Sequence, residues 1–270
     1  KRLEARKLKM LEKTFFGLKT VKEGPNRIGR IWNLNQSLLF ILICCSIFCF
    51  LPNLSMASSS SYTAAVIWMH GLGDSGEGWS YLRRVYSEMN WIRWVFPTAP
   101  VQPVTCNGGY ESTSWFDIDR IPVTESETDN PRGLEDSIAL VHEHVAKLVE
   151  EGIPTERIII GGFSQGAVLS LQAGLSSQGK LAGIVAFSGW LVRKDQLDSL
   201  ISDANKETPI LICHGNQDQV VKFTLSQIAS HMLQEKGFSV TFNDYPMQHS
   251  SCNEELQHLK EYILDVVPAA

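Results

Sequence analysis

No CxxC pair and no Cys/His cluster at metal-ligand spacing occurs anywhere in the 270 residues, which argues against the common zinc modules. The six cysteines are scattered. Three lie within residues 38–51, and Cys106, Cys213 and Cys252 stand far apart beyond them. That distribution predicts the reduced thiols of a cytoplasmic protein and not a disulfide framework. No apolar run reaches 18 residues; the longest, residues 38–51, has 14 and is interrupted only by Ser46. As a helix it would extend about 21 Å, short of the roughly 30 Å hydrocarbon core of a bilayer. Charged residues make up 20% and apolar residues 44%, with a mean hydropathy of -0.05, which excludes a mostly disordered chain and a polytopic membrane protein. Basic character is missing from most of the chain. Residues 1–55 carry ten Lys/Arg against three Asp/Glu, net +7, leaving 14 against 26, net -12, in residues 56–270. Nucleic-acid binding rests on phosphate neutralisation, so none is expected.

The basic and apolar residues 1–55 admit three readings. They could form a short signal-anchor with Cys44 and Cys45 as palmitoylation sites, a secretory signal cleaved near Ala57-Ser58, or a segment outside the mature protein. The third is favoured, because the chain opens on Lys1 and Met56-Ala57-Ser58-Ser59-Ser60-Ser61 reads as an initiator with a short polar tail. The expected arrangement is an N-terminal extension, 1–55, and one catalytic domain, 62–270.

No repeat or long linker interrupts that domain. Residues 64–69 form a continuous apolar run beside a glycine cluster, the pattern of a strand buried on both faces. Further strands are expected at 92–96, 157–161, 181–187, 209–213 and 238–245. Helices are expected at 133–151, where apolar residues recur at three- and four-residue spacing, and at 165–176, 222–236 and 254–267. Strands alternating with helices predict an α/β fold with a mostly parallel sheet covered on both faces, and a site at the carboxyl ends of its strands.

Gly162-Phe163-Ser164-Gln165-Gly166 is a G-x-S-x-G sequence between an expected strand and an expected helix. A nucleophile on such a sharp turn needs small flanking residues so that the chain can double back. The serine also needs a base to take its proton. Asp218 and His249 each follow a later strand, in the order Ser, Asp, His that this architecture uses. Asp244 and Asp203 are alternative acids; His214 reads as a packing residue and His258 as a surface one. Developing negative charge needs peptide donors, expected from Gln165 N–H and from Leu72 N–H in His70-Gly71-Leu72-Gly73-Asp74.

Together with Ser114-Trp115-Phe116-Asp117-Ile118 and His249-Ser250-Ser251-Cys252, these segments resemble the acyl-protein thioesterase family of carboxylesterases, from about residue 65 to 267. The resemblance implies an α/β-hydrolase fold, cleavage of esters and thioesters including S-palmitoyl groups on proteins, no cofactor and no metal. It carries the triad onto Ser164, Asp218 and His249 and the oxyanion donors onto Leu72 and Gln165. The chain departs from the family pattern at Ala167, Asn216 and Pro246, none of which supplies a triad atom. Trp115, Phe116 and Met247, with Leu72, Trp79 and Leu191, are expected to line an apolar substrate groove. The expected partners are an acylated protein or small ester, with transient membrane contact and a monomer or weak homodimer. Short-chain esterase or protein deacetylase activity is the alternative. A non-catalytic scaffold on the same fold would have no use for an activated serine.

Overall fold

The computed structural model describes residues 62–127 and 129–269; the expectations for residues 1–55 lie outside them. Strand β1 (Ala64–Met69) is buried at every residue, as its unbroken apolar run requires. It lies between β2 (Ile92–Val95) and β5 (Ile158–Phe163). The sheet continues through β6 (Gly183–Phe187), β7 (Ile210–Gly215) and β8 (Val240–Tyr245) in the order β2-β1-β5-β6-β7-β8. All five pairings are parallel. The longer helices are α1 (Leu134–Glu150), α2 (Gln165–Ser176), α3 (Phe223–Glu235) and α4 (Asn253–Val266), the last following β8.

Alternation along β1 sorts the core. Ala65, Ile67 and Met69 pack with apolar residues of α1 and α2, whereas Ala64, Val66 and Trp68 pack on the opposite face with Leu259 and Ile263 of α4. Residues of α3 join those of β6 and β7 on the α1–α2 side. Both faces are therefore covered, as expected for a parallel sheet. Among the described residues, no helix is long and apolar enough to cross a membrane.

Two differences from the sequence expectations matter for the site. Strand β5 runs two residues further than expected, because Gly162 pairs with Met69 and Phe163 with Phe187. Gly162, which read as part of the turn, is here a strand residue. An antiparallel ribbon, β3 (Val101–Pro103) with β4 (Glu111–Thr113), was not expected at all. Its strands are three residues long and carry no buried stripe, so they leave no periodic trace. Its Thr113 carbonyl accepts the Gly73 N–H at 2.8 Å, which holds the loop after β1 in place.

Candidate active site

Strand β5 ends at Phe163 and α2 begins at Gln165, so the whole reversal falls on Ser164, with φ 55° and ψ -118°. For a residue with a Cβ this backbone costs on the order of 1–3 kcal/mol and persists only where the surroundings impose it. Here they do. A Cβ at Gly162 would lie 2.5 Å from the Gly166 carbonyl carbon, and one at Gly166 would lie 2.6 Å from the His70 oxygen. The two glycines let strand, turn and helix close against β1.

Three residues from distant segments meet at this turn. The Asp218 carboxylate accepts from His249 Nδ1 at 2.6 Å, which leaves Nε2 as the acceptor for the Ser164 hydroxyl at 2.9 Å. The His249 ring packs on Phe163, with centroids 4.8 Å apart. Asp203 and Asp244 are exposed instead, bonded to Lys206 and Asn216. His258 is half-buried, 2.8 Å from the Tyr245 hydroxyl. A hydroxyl hydrogen-bonded to an imidazole that is itself held by a carboxylate is the arrangement that makes serine nucleophilic.

Asp218 has more partners than its sequence position suggests. Its Oδ1 accepts the N–H groups of Val220 and Val221 at 2.8 and 2.9 Å, and His214 Nε2 lies 3.2 Å from Oδ2. Burial alone would raise this carboxyl, but the hydrogen bonds from His214, His249 and Val221 outweigh it and hold the group well below the usual carboxylate range. His214 is fully buried and also contacts the Val221 carbonyl at 3.0 Å. The expectation of a packing residue missed this contact; the available signal is the four-residue spacing of His214 and Asp218 across the turn after β7.

Leu72 and Ser164 line one cavity of about 490 Å³, and the N–H groups of Leu72 and Gln165 donate to no acceptor among the described residues. Trp79, Ile118, Ile121 and Trp190 form much of its apolar wall. Trp115, Phe116, Leu191 and Met247 do not line it, a correction to the expected groove. Trp115 and Phe116 are 0% and 1% exposed, drawn inward by hydrogen bonds from Ser137 to the Trp115 carbonyl and from Gln165 to the Phe116 carbonyl. Leu191 packs in the core beside α2 and α3, and Met247 rests on the core of the α4 face.

Beyond the His249 loop, Glu255 is buried in the first turn of α4. Burial pushes its carboxyl from 4.5 up to about 8, a rise that the Ser251 hydroxyl and Cys252 peptide only partly offset. Between these values the folded chain keeps a proton that the unfolded chain has lost. The stabilisation is complete below pH 4.5 and is lost as pH rises to 8, at no more than about 1.4 kcal/mol per pH unit. Glu255→Gln should therefore flatten the fall in melting temperature between pH 5 and pH 8. Equal slopes in the two proteins would contradict this.

A family model described as phospholipase/carboxylesterase matches residues 55–267. Acyl-protein thioesterase 1 of Neurospora crassa is 36% identical over 228 residues, covering 80% of this chain and 92% of that protein. A probable carboxylesterase of Oryza sativa subsp. japonica is 38% identical over 217 residues, 79% of this chain and 82% of that one. The crystal structure of Arabidopsis thaliana SOBER1 superposes with a TM-score of 0.73 at 33% identity, covering 76% of this chain and 99% of its own. With a doubly covered parallel sheet and a serine at its strand-to-helix turn, the chain belongs to the phospholipase/carboxylesterase family of α/β-hydrolases.

Proposed function

We propose that this hydrolase cleaves thioesters and esters of fatty acids, with acylated protein cysteines as its principal substrate class. The observation that carries the reading is the hydrogen-bonded series Ser164–His249–Asp218 at a largely apolar cavity. The relatives named as acyl-protein thioesterase and carboxylesterase support it. Ser164 Oγ attacks the acyl carbonyl carbon while His249 Nε2 takes the hydroxyl proton, and Asp218 stabilises the resulting imidazolium. The oxyanion accepts the N–H groups of Leu72 and Gln165, each such donor worth roughly 3–4 kcal/mol. His249 returns its proton to the departing thiol or alcohol, leaving an acyl-enzyme. Water then attacks the acyl carbon while His249 takes its proton and passes it to the departing Ser164 Oγ, so the carboxylic acid leaves and the serine hydroxyl is restored.

The cavity falls in the size range of small-molecule sites, about 300–1,000 Å³, and its wall of Leu72, Trp79, Ile118 and Trp190 suits an alkyl chain. A series of p-nitrophenyl esters from acetate to palmitate tests this directly. A preference for eight carbons or more is expected; a maximum at two to four carbons would replace the reading with a short-acyl esterase or deacetylase. Labelling of Ser164 by a fluorophosphonate separates either enzyme from a non-catalytic scaffold.

The catalytic unit in this proposal is residues 62–270, working in the cytoplasm as a monomer or weak homodimer and meeting membranes only where its substrate lies. The acidic balance of residues 56–270 and the free thiols of Cys106, Cys213 and Cys252 support it. The intact mass of the natural protein decides whether residues 1–55 are retained.

A further inference from the structure

An oxyanion hole works only if its donors keep a fixed spacing, within about 0.5 Å. Leu72 and Gln165 are 93 positions apart, and both lie beyond the ends of their strands, past the Met69–Gly162 pairing of β1 and β5. The element that spans the gap is Trp115. Its main-chain N–H donates to Gln165 Oε1 at 2.9 Å, and its indole Nε1–H donates to the His70 carbonyl at 2.9 Å. The Gln165 amide nitrogen in turn donates to the Phe116 carbonyl at 2.6 Å and to Ser114 Oγ at 2.9 Å. The whole polar end of Gln165 is thus engaged by residues 114–116.

The other half of the bracket runs through His70. Its Nε2 accepts the Ala99 N–H at 3.0 Å, so the ring proton sits on Nδ1 and donates to the Gly71 carbonyl at 2.7 Å. Burial lowers the His70 pKa and so favours the neutral ring that this tautomer needs. The Gly71 carbonyl and the Leu72 N–H belong to one planar trans peptide and point in opposite directions. Fixing the carbonyl therefore aims the N–H. Ser137 Oγ donates to the Trp115 carbonyl and ties the bracket to α1.

We propose that Trp115 is a positioning residue for the oxyanion hole, holding the Leu72 and Gln165 donors in mutual register through its main-chain and indole N–H groups. The proposal rests on the serine-hydrolase reading above. It also accounts for a tryptophan that stands behind the cavity and not in its wall.

Trp115→Phe in the full chain keeps an aromatic ring in place and removes the bond to the His70 carbonyl. The kcat for a p-nitrophenyl ester should fall roughly 10- to 100-fold, less than the loss of a whole donor, with KM and the pH profile unchanged. A matched thionoester, whose longer C=S group fits such a hole poorly, distinguishes positioning from general damage. The ester-to-thionoester ratio of kcat/KM should fall about tenfold or more. Gln165→Met, which keeps the peptide N–H at position 165 and removes its side-chain link to Trp115, should act in the same direction. Unchanged ester turnover in the folded variants, or equal losses on ester and thionoester, overturns the bracket while leaving the triad intact. A parent protein that neither turns over esters nor takes a fluorophosphonate at Ser164 overturns the bracket and the serine-hydrolase reading together.

Discussion

Ser164→Ala is expected to lower kcat on p-nitrophenyl esters by roughly 10⁴- to 10⁶-fold, because in the proposed mechanism it deletes the atom that forms the acyl-enzyme and leaves only the proposed oxyanion donors and binding. The fold should survive. Ser164 Oγ makes its hydrogen bond to His249 alone, and the φ of 55° is borne equally by alanine. The melting temperature should therefore stay within a few degrees of the parent value, and fluorophosphonate labelling should disappear. A variant that retains even a hundredth of the parent rate, free of contaminating esterase, would move the nucleophile elsewhere.

Asp218→Asn is expected to reduce kcat by about 10⁴-fold with little change in KM. Four donors converge on the carboxylate: His249 Nδ1, His214 Nε2 and the N–H groups of Val220 and Val221. A carboxylate accepts from all of them, whereas an asparagine presents one acceptor oxygen and an NH₂ that must face a donor. Because the two peptide N–H groups both bind Oδ1, the amide oxygen stays there and the NH₂ turns toward the imidazoles. His249 then presents Nδ1 as an acceptor and carries its proton on Nε2, where it can no longer accept from Ser164. Kinetics against an alkyl-chain series, with a thermal melt as the control for folding, check this. A loss confined to KM would show that Asp218 acts on substrate binding and not on the imidazole.

Much of this architecture is legible in the linear chain, for local reasons. An uninterrupted apolar run such as residues 64–69 can only be buried on both faces, and the helical periodicity of residues 134–149 admits one apolar stripe. The helix at 165–176 was expected at the bounds it takes in the structure. Ser164, Asp218 and His249 could be nominated because each follows a strand in an order that the topology turns into proximity. The ribbon β3–β4 escaped because three-residue strands carry no period. The extra residues of β5 escaped because glycine reads as a turn when its neighbours are unknown. Gly162 is in fact small because Met69 and Gly166 press against it.

The aromatic residues mark the boundary most clearly. Loop tryptophans beside the Ser164 turn suggest a groove, yet Trp79 faces the cavity and Trp115 is sealed behind it. Composition and spacing by themselves determined the parallel α/β layers and placed Ser164 and His249 after strands, since burial and period act along the chain; the choice of Asp218 over Asp203 and Asp244 waited on the fold. Tertiary structure alone decided which partner each polar atom takes: His214 on Asp218, and Trp115 on both Gln165 and His70. Hydrogen bonds require about 3 Å and a direction, and residues tens of positions apart meet those conditions only after the sheet has formed.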